Sequence, residues 1–114
     1  MGKLTTHVLD TAKGCPAKNV GVRLYDAEGE LLTETTTNDD GRCNAPILEG
    51  EGFRKGSYRL EFDIAAYYKA QGVKLAEPAF LDVVVLQFGI SDEAAHYHVP
   101  LLVSPFGYST YRGS

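Results

Sequence analysis

The amino-acid sequence predicts an all-β protein, a two-sheet antiparallel β-sandwich that carries one short helix. Turn-forming glycines recur about every ten residues, and the stretches between them are rich in β-branched and aromatic side chains. Several of these stretches alternate apolar and polar residues, as strands with one buried face do. The chain has 114 residues and no segment of linker composition, so residues 1–114 are expected to form one domain.

Three stretches carry the clearest strand pattern. In residues 4–9 every second side chain, beginning with Leu4, is expected to be buried, which places His7 on the opposite face. Residues 20–25 and 57–62 alternate in the same way. These stretches predict three strands that each offer one apolar face to the core.

The remaining strands are predicted from less regular patterns. Residues 31–37 carry a threonine run that suits a solvated strand face. Residues 26–40 hold six acidic residues and no lysine or arginine, which indicates a solvated edge hairpin. Residues 80–88 are almost continuously apolar, which predicts that this strand is covered on both faces or is covered in part by a partner chain. Residues 97–103 and 108–111 complete the set.

Residues 63–72 break the strand pattern and predict the helix. They begin with Asp63, a residue type that favours helix N-caps, and continue with two adjacent alanines. They end at Gly72, a residue type that favours the position after a helix.

Composition excludes several classes of function. Lys+Arg number 11 and Asp+Glu number 15, so the net charge is −4 and a nucleic-acid partner is not expected. No apolar run approaches the ~20 residues that cross a membrane, and the first residues lack a signal peptide, which predicts a cytoplasmic protein without a membrane partner. Cys15 and Cys43 form no Cys-x-x-Cys pair and are expected to be reduced thiols.

Histidines on two strands are the first sign of chemistry. On a regular strand His96 and His98 share one face, and Tyr97 lies on the apolar face opposite them. Pro100 lies on the same strand and cannot donate a ladder hydrogen bond, which indicates a sheet edge or a bulge. His7, on the first strand, is also expected to point away from the core.

The residue pattern leaves three interpretations of these histidines open. In the first, the histidines are ordinary surface residues. In the second, His7 and the His-x-His pair bind zinc, although no fourth ligand is evident. In the third interpretation neutral imidazoles act as general acids and bases, and Arg42, which follows a turn pair and opens a strand, supplies positive charge.

The carboxyl-terminal residues 108–114 form the second unusual segment. They are aromatic, hydroxylated and basic, where a terminal segment is usually bland and frayed. Such a segment is either an exposed end or packs at a subunit interface and brings its terminal carboxylate into a site.

At these residues the sequence resembles the transthyretin-like family and, within it, the 5-hydroxyisourate hydrolases of purine degradation. Residues 7–17, which read HVLDTAKGCPA, resemble the first family signature, and residues 97–109, which read YHVPLLVSPFGYS, resemble the second. The closing YRGS at residues 111–114 matches the tetrapeptide that separates the hydrolases from the hormone carrier transthyretin. The resemblance covers the whole chain in order and disfavours the carrier function.

The resemblance implies a fold, an assembly and a reaction. The fold is the prealbumin-like β-sandwich, and the assembly is a homotetramer, a dimer of dimers with its active sites at the dimer–dimer interface. The reaction is hydrolysis of 5-hydroxyisourate to 2-oxo-4-hydroxy-4-carboxy-5-ureidoimidazoline, without a metal or another cofactor.

The resemblance also implies the site residues, residue by residue. The catalytic residues would be His7, Arg42, His98 and Ser114. The substrate would be bound by His7, Arg42, Tyr111, Arg112 and Gly113, and His96 would be peripheral.

No Ser-His-Asp or Cys-His arrangement is evident in the sequence, so we expect water to attack the substrate directly. His7 and His98 would position and deprotonate that water, and the residue pattern does not decide which of them is the base. Arg42 would keep an imidazole neutral, and Arg42 or a donor from residues 112–114 would stabilise the oxyanion.

Overall fold

The computed structural model describes residues 2–114, in which eleven strands and one α-helix form a mainly β structure, as predicted. The strands are β1 Lys3–Thr5, β2 Val8–Asp10, β3 Cys15–Pro16, β4 Gly21–Tyr25, β5 Leu31–Thr36, β6 Leu48–Glu49, β7 Gly56–Asp63, β8 Val83–Ile90, β9 Tyr97–His98, β10 Leu101–Ser104 and β11 Gly107–Thr110. The helix α1 is Ile64–Ala70, and a 3₁₀ turn covers Gly50–Gly52.

The strands form three sheets. One sheet has the order β5-β4-β7-β8 and is antiparallel throughout. The other two sheets have the orders β6-β1-β9 and β11-β10-β2-β3, and the first continues into the second, because β1 leads into β2 and β9 leads into β10. Strands β1 and β9 are parallel, as are β2 and β10, so this part is mixed where the sequence predicted antiparallel pairing. Parallel neighbours need a long connection, and most of the chain lies between β2 and β9.

The two predicted strands that carry histidines are each interrupted in the middle. Thr6 and His7 separate β1 from β2, and Val99 and Pro100 separate β9 from β10. The two segments of the chain stay hydrogen-bonded across the gap, since Val99 N donates to the carbonyl oxygen of Thr5 at 2.9 Å. The interruption therefore changes the local pairing without separating the segments.

The predicted alternation of buried and exposed positions is confirmed. In the first stretch Leu4, Thr6 and Val8 are buried, and Thr5 and His7 between them are half-buried. The same holds in residues 20–25 and 57–62, where the buried side chains are Val20, Val22, Leu24, Tyr58, Leu60 and Phe62. These side chains form one core.

Strand β8 begins at Val83, three residues later than predicted, and only one of its faces is covered within the chain. Val84 and Leu86 are buried, whereas Val83 and Val85 are exposed. β8 is also the edge strand of its sheet. The cover that the sequence predicted for the second face does not come from the described part of this chain.

The acidic segment 26–40 forms the predicted edge hairpin. Its second strand, β5, lies at the open edge of the antiparallel sheet, opposite to β8. The turn is closed by Asp26, whose Oδ1 accepts hydrogen bonds from the backbone N–H groups of Glu28 and Glu30, each at 2.9 Å.

Helix α1 forms where it was predicted but begins differently. Asp63 occupies the N-cap position, yet its carboxylate makes no capping hydrogen bond. It forms a bidentate ion pair with Arg23, with both N–O distances at 2.8 Å. Gly72, with φ of 83°, follows the helix as expected.

The buried carboxylate of Asp10 anchors the helix to β2. It accepts hydrogen bonds from the hydroxyl groups of Tyr67 and Tyr68, each at 2.8 Å, and from the backbone N–H groups of Ala12 and Lys13. Burial and the adjacent carboxylate raise the pKa of both phenols well above the ordinary value. Because four donors surround it, the charge is satisfied although Asp10 is 1% exposed.

No helix within residues 2–114 is long and apolar enough to cross a membrane.

Candidate active site

A cavity of about 540 Å³ opens where the two histidine-bearing strands are interrupted. Its volume suits a small organic molecule. Arg42, His98 and Ser114, three residues that the sequence predicted for the site, line it together. Thr5 and His96 line the same cavity.

His98 is held on both sides. Its Nδ1 lies 2.9 Å from the Thr5 hydroxyl oxygen, and its backbone N–H and C=O pair with Gly113 at 3.2 and 2.6 Å. A Cβ atom at position 113 would lie 3.2 Å from the Cβ of His98, so a glycine permits this approach. Burial lowers the pKa of His98, and the positive charge of Arg42 lowers it further. The imidazole is therefore neutral near neutral pH.

His7 lies beside the cavity rather than among the residues that line it. Its backbone forms a single β-bridge with Arg42, and its Nε2 lies 2.8 Å from the carbonyl oxygen of Asp40. A carbonyl oxygen only accepts, so Nε2 carries the proton and Nδ1 of the neutral ring keeps its lone pair. Burial and Arg42 lower the pKa of His7 against the opposing effect of the Asp40 carbonyl.

Arg42 is presented by a tight turn and opens no strand, which differs from the prediction. The side-chain oxygen of Asn38 accepts hydrogen bonds from the N–H groups of Asp40 and Arg42, at 2.9 and 3.2 Å. Gly41 has φ of 74°, a conformation that suits glycine, and a Cβ there would overlap the carbonyl oxygen of Val8. Within residues 2–114 the Arg42 guanidinium forms no salt bridge, so its charge is available to a ligand.

The carboxyl-terminal tetrapeptide is divided between two cavities. Ser114 lines the cavity of His98, whereas Tyr111 and Arg112 line a second one of about 380 Å³ together with Tyr97. The Arg112 guanidinium carbon lies 4.1 Å from the centre of the Tyr97 ring, and its Nη2 donates to the carbonyl oxygen of His96 at 3.3 Å. Within one chain, the predicted substrate-binding residues Tyr111 and Arg112 are therefore not brought to His98.

Two residues of the cavity were not assigned a role from the sequence. His96, which the family resemblance makes peripheral, lines the cavity, and so does Thr5, for which the sequence predicts only a place on the first strand. The Thr5 hydroxyl oxygen lies 3.1 Å from Nε2 of His96 as well as 2.9 Å from Nδ1 of His98. The only available signal was that Thr5 and His7 share a face of one strand, because the pairing of β1 with β9 is not readable from the sequence.

The cavity also contains a free cysteine. Cys43 is half-buried, and burial raises the pKa of its thiol, so the residue is a thiol and not a thiolate at neutral pH. Cys15 is also free, and it is exposed. In the described part of the chain no three His, Cys, Asp or Glu residues are arranged to hold a metal ion.

Comparison with known proteins relates this geometry to one family. Residues 4–113 match the model of the HIUase/Transthyretin family. The chain is 60% identical over 117 residues to the 5-hydroxyisourate hydrolase of Pseudomonas aeruginosa, covering 100% of this chain and 93% of that protein.

Two solved structures show the same fold. The 5-hydroxyisourate hydrolase of Klebsiella pneumoniae superposes with a TM-score of 0.85 at 35% identity, covering 100% of both chains. An (S)-allantoin synthase superposes with a TM-score of 0.95 at 44% identity, covering 99% of this chain but 44% of that longer one.

Proposed function

The chain belongs to the HIUase/transthyretin family, and we propose that it hydrolyses 5-hydroxyisourate to 2-oxo-4-hydroxy-4-carboxy-5-ureidoimidazoline. The similarity to hydrolases supports this activity. The observation that carries the proposal is that a neutral imidazole, His98, and a guanidinium, Arg42, which forms no salt bridge within residues 2–114, line one cavity of suitable size.

The reaction sets the requirements for the site. The oxygen of a water molecule bonds to the carbonyl carbon of a ring amide, the carbon–nitrogen bond breaks, and the ring nitrogen takes up a proton. The site must therefore accept a proton from water, stabilise the negative charge that develops on the carbonyl oxygen, and return a proton to the leaving nitrogen.

We assign the base to His98. Its Nδ1 is occupied by the Thr5 hydroxyl, so Nε2 is the nitrogen that remains to accept a proton from water. His98 lines the cavity, and its lowered pKa keeps the ring neutral at neutral pH. His7 is assigned a positioning role, since its Nε2–H holds the carbonyl oxygen of Asp40 next to Arg42. A positioned base typically contributes ~10²–10⁴-fold to the rate.

Arg42 is assigned the oxyanion. Its guanidinium has no carboxylate partner among the described residues and lies in a partly enclosed cavity, where it stabilises negative charge on the substrate more strongly than water does. The same charge disfavours an imidazolium at His98, so Arg42 supports both halves of the reaction.

We propose that the functional unit is a homotetramer, a dimer of dimers. Large apolar side chains lie exposed on a single chain, with Phe80 73% and Phe106 77% exposed and in contact with each other. Strands β8 and β11 are both open sheet edges. Exposed apolar patches and unpaired edges of this kind indicate contact with a further chain. In such an assembly a neighbouring chain would supply Tyr111 and Arg112 to the cavity of His98.

The proposed activity is tested by generating 5-hydroxyisourate with urate oxidase and following the decay of its absorbance. We expect the protein to accelerate the decay, and His98→Asn to lower kcat by ~10²–10⁴-fold. Asparagine keeps a polar group near the position of Nδ1 but removes Nε2, so the variant retains a contact with Thr5 and loses only the proposed base.

His7→Asn should have the smaller effect in the same assay, because its side chain acts through Asp40 and Arg42. Unchanged decay in the presence of the protein would refute the activity. Saturable binding of an aromatic ligand without turnover would show a carrier instead. Equal rates for His98→Asn and the unmodified protein would refute the assignment of the base.

A further inference from the structure

We propose that Thr5 is a positioning residue which joins His96 and His98 in a proton relay and thereby sets the tautomer of His98. This inference rests on the proposed function for its catalytic meaning. The juxtaposition itself does not, since it follows from three side chains that lie in one cavity.

The parallel pairing of β1 with β9 produces this contact. Thr5 is the partner of His98 in the ladder, so the two side chains lie next to each other on one face. His96 precedes His98 by two residues and reaches the same hydroxyl, at 3.1 Å against 2.9 Å for His98. Threonine is β-branched and has few side-chain rotamers, so its hydroxyl is held in place.

The relay follows from counting protons. A threonine hydroxyl carries one hydrogen, so it donates to only one of the two ring nitrogens, and the other ring must donate to it. In one arrangement Nδ1–H of His98 donates to Thr5 and the hydroxyl donates to His96, which leaves Nε2 of His98 free to accept a proton. In the other arrangement the hydroxyl donates to His98, and Nε2 of His98 carries a proton.

These two arrangements match the two halves of hydrolysis. The first is the base form, and we assign it to the resting protein. When Nε2 of His98 takes a proton from water, its Nδ1 proton passes to the Thr5 oxygen and the hydroxyl proton passes to Nε2 of His96. The positive charge then lies on His96, while His98 is neutral with a proton on Nε2 that the leaving nitrogen can receive. As the leaving nitrogen takes that proton, the relay runs in reverse: the hydroxyl proton of Thr5 passes back to Nδ1 of His98 and Nε2–H of His96 passes to the Thr5 oxygen, so both rings end neutral.

The surroundings of His98 oppose a lasting positive charge on its ring. Burial is the largest cause of its lowered pKa, and the charges of Arg42, His7 and His96 lower the pKa further. His96 is half-buried at the cavity and shares its hydrogen bond with the same hydroxyl. The Thr5 hydroxyl therefore gives a proton that leaves Nδ1 of His98 a second ring nitrogen within hydrogen-bond distance.

The kinetic test compares Thr5→Val, which keeps the shape and removes the hydroxyl, with Thr5→Ser, which keeps the hydroxyl. We expect Thr5→Val to lower kcat by ~10–10²-fold with little change in KM, because the ring is misoriented while the cavity remains. Thr5→Ser should restore most of the rate. Thr11→Val is the matched control, since its hydroxyl donates to the carbonyl oxygen of Val103 at 3.1 Å and does not line the cavity.

The second histidine is tested by His96→Gln and His96→Phe. The glutamine amide can place a donor or an acceptor near the position of Nε2, whereas phenylalanine has neither. We expect His96→Gln to be the more active of the two, and both variants to bind substrate with similar KM. A kcat of His96→Gln equal to that of the unmodified protein would overturn the relay, because an amide cannot take up the proton.

A readout without substrate separates this inference from the proposed function. Ring ¹⁵N chemical shifts of the unmodified protein should show His98 with its proton on Nδ1, and Thr5→Val should lose that preference. A His98 ring protonated on Nε2 at rest, or a tautomer unaffected by Thr5→Val, would overturn the relay even if the protein hydrolyses 5-hydroxyisourate. Conversely, the expected spectra without turnover would support the contact and refute the proposed activity.

Discussion

At the scale of single residues, the electrostatics of the site depend on Arg42. Burial is the largest cause of the lowered pKa of His98, and the positive charge of Arg42 is the second. A cation near an imidazole disfavours a second positive charge, so both effects keep the ring neutral. The guanidinium of Arg42 thus helps to keep the imidazole of His98 neutral and, in the proposed mechanism, stabilises the oxyanion.

Arg42→Gln tests both roles of this charge. Removing the charge lets the pKa of His98 rise towards its ordinary value, so the ring becomes protonated at a higher pH than in the unmodified protein. We therefore expect the acid limb of kcat/KM against pH to move to higher pH. Loss of an oxyanion donor should lower kcat by ~10²–10³-fold at the plateau.

Arg42→Lys serves as the control in that measurement, since it retains the charge but not the planar fork of donors. Its acid limb should stay near that of the unmodified protein while its plateau falls. An acid limb that does not move in Arg42→Gln would show that Arg42 has no influence on the base.

At the scale of elements, the turn of residues 38–42 matters most for the site. It presents the carbonyl oxygen of Asp40 to His7 and the side chain of Arg42 to the cavity. Two features hold its shape, namely the hydrogen bonds to the Asn38 side chain and the close approach of Gly41 to the carbonyl oxygen of Val8.

Gly41→Ala is expected to disturb this turn. A non-glycine residue with positive φ costs ~1–2 kcal/mol, and the added Cβ would also overlap the backbone of Val8, which has little freedom to move. We expect a lower free energy of unfolding and a lower kcat/KM, because Arg42 and the partner of His7 are displaced together.

Gly14→Ala is the matched control for that substitution. Gly14 has φ of 71°, close to the 74° of Gly41, but a Cβ at position 14 would contact nothing within 4 Å. Denaturant unfolding at one protein concentration should show a smaller loss of stability, with unchanged kinetics. Equal effects of the two substitutions on kcat/KM would contradict the role of the turn.

The helix start shows how tertiary contacts change a local prediction. Asp63 has the residue type and the position of an N-cap, but its carboxylate pairs with Arg23 on β4. A bidentate, charge-assisted pair is stronger than a single capping hydrogen bond. The sequence therefore predicts where the helix begins, while the neighbouring strand decides what Asp63 binds.

At the scale of the whole molecule, the uncovered surfaces of one chain indicate where a second chain would bind. β8 is an edge strand with Val83 and Val85 exposed, and the continuously apolar sequence of this stretch predicts that both faces are covered. Since no described residue of the same chain covers them, the proposed assembly accounts for the pattern.

Sedimentation velocity over a range of protein concentrations tests the assembly. We expect the mass of four chains, and we expect Val85→Arg to give smaller species, because a buried unpaired charge at an interface costs several kcal/mol. Leu31→Arg is the matched control. Leu31 is 47% exposed and Val85 is 42% exposed, but Leu31 lies on β5 at the opposite edge of the same sheet. A fully active monomer would refute the proposed tetramer.

The sequence by itself determined which side chains of the strands are buried and which family signature the chain contains. Alternation in residues 20–25 and 57–62 predicted which side chains are buried, because neighbouring strand residues point to opposite faces. The histidines and the YRGS segment indicated the hydrolase branch of the family, because a signature depends only on the identity and order of residues.

Only the tertiary structure decided which of these residues meet. The pairing of Thr5 with His98 joins positions 93 residues apart, and no local preference encodes the register between such distant strands. The family resemblance makes His96 peripheral, whereas the structure places it in the cavity with His98, and the division of the carboxyl-terminal residues between two cavities also follows only from the packed structure. Strand patterns depend on local sequence, whereas the site depends on contacts that form only when both ends of the chain pack together.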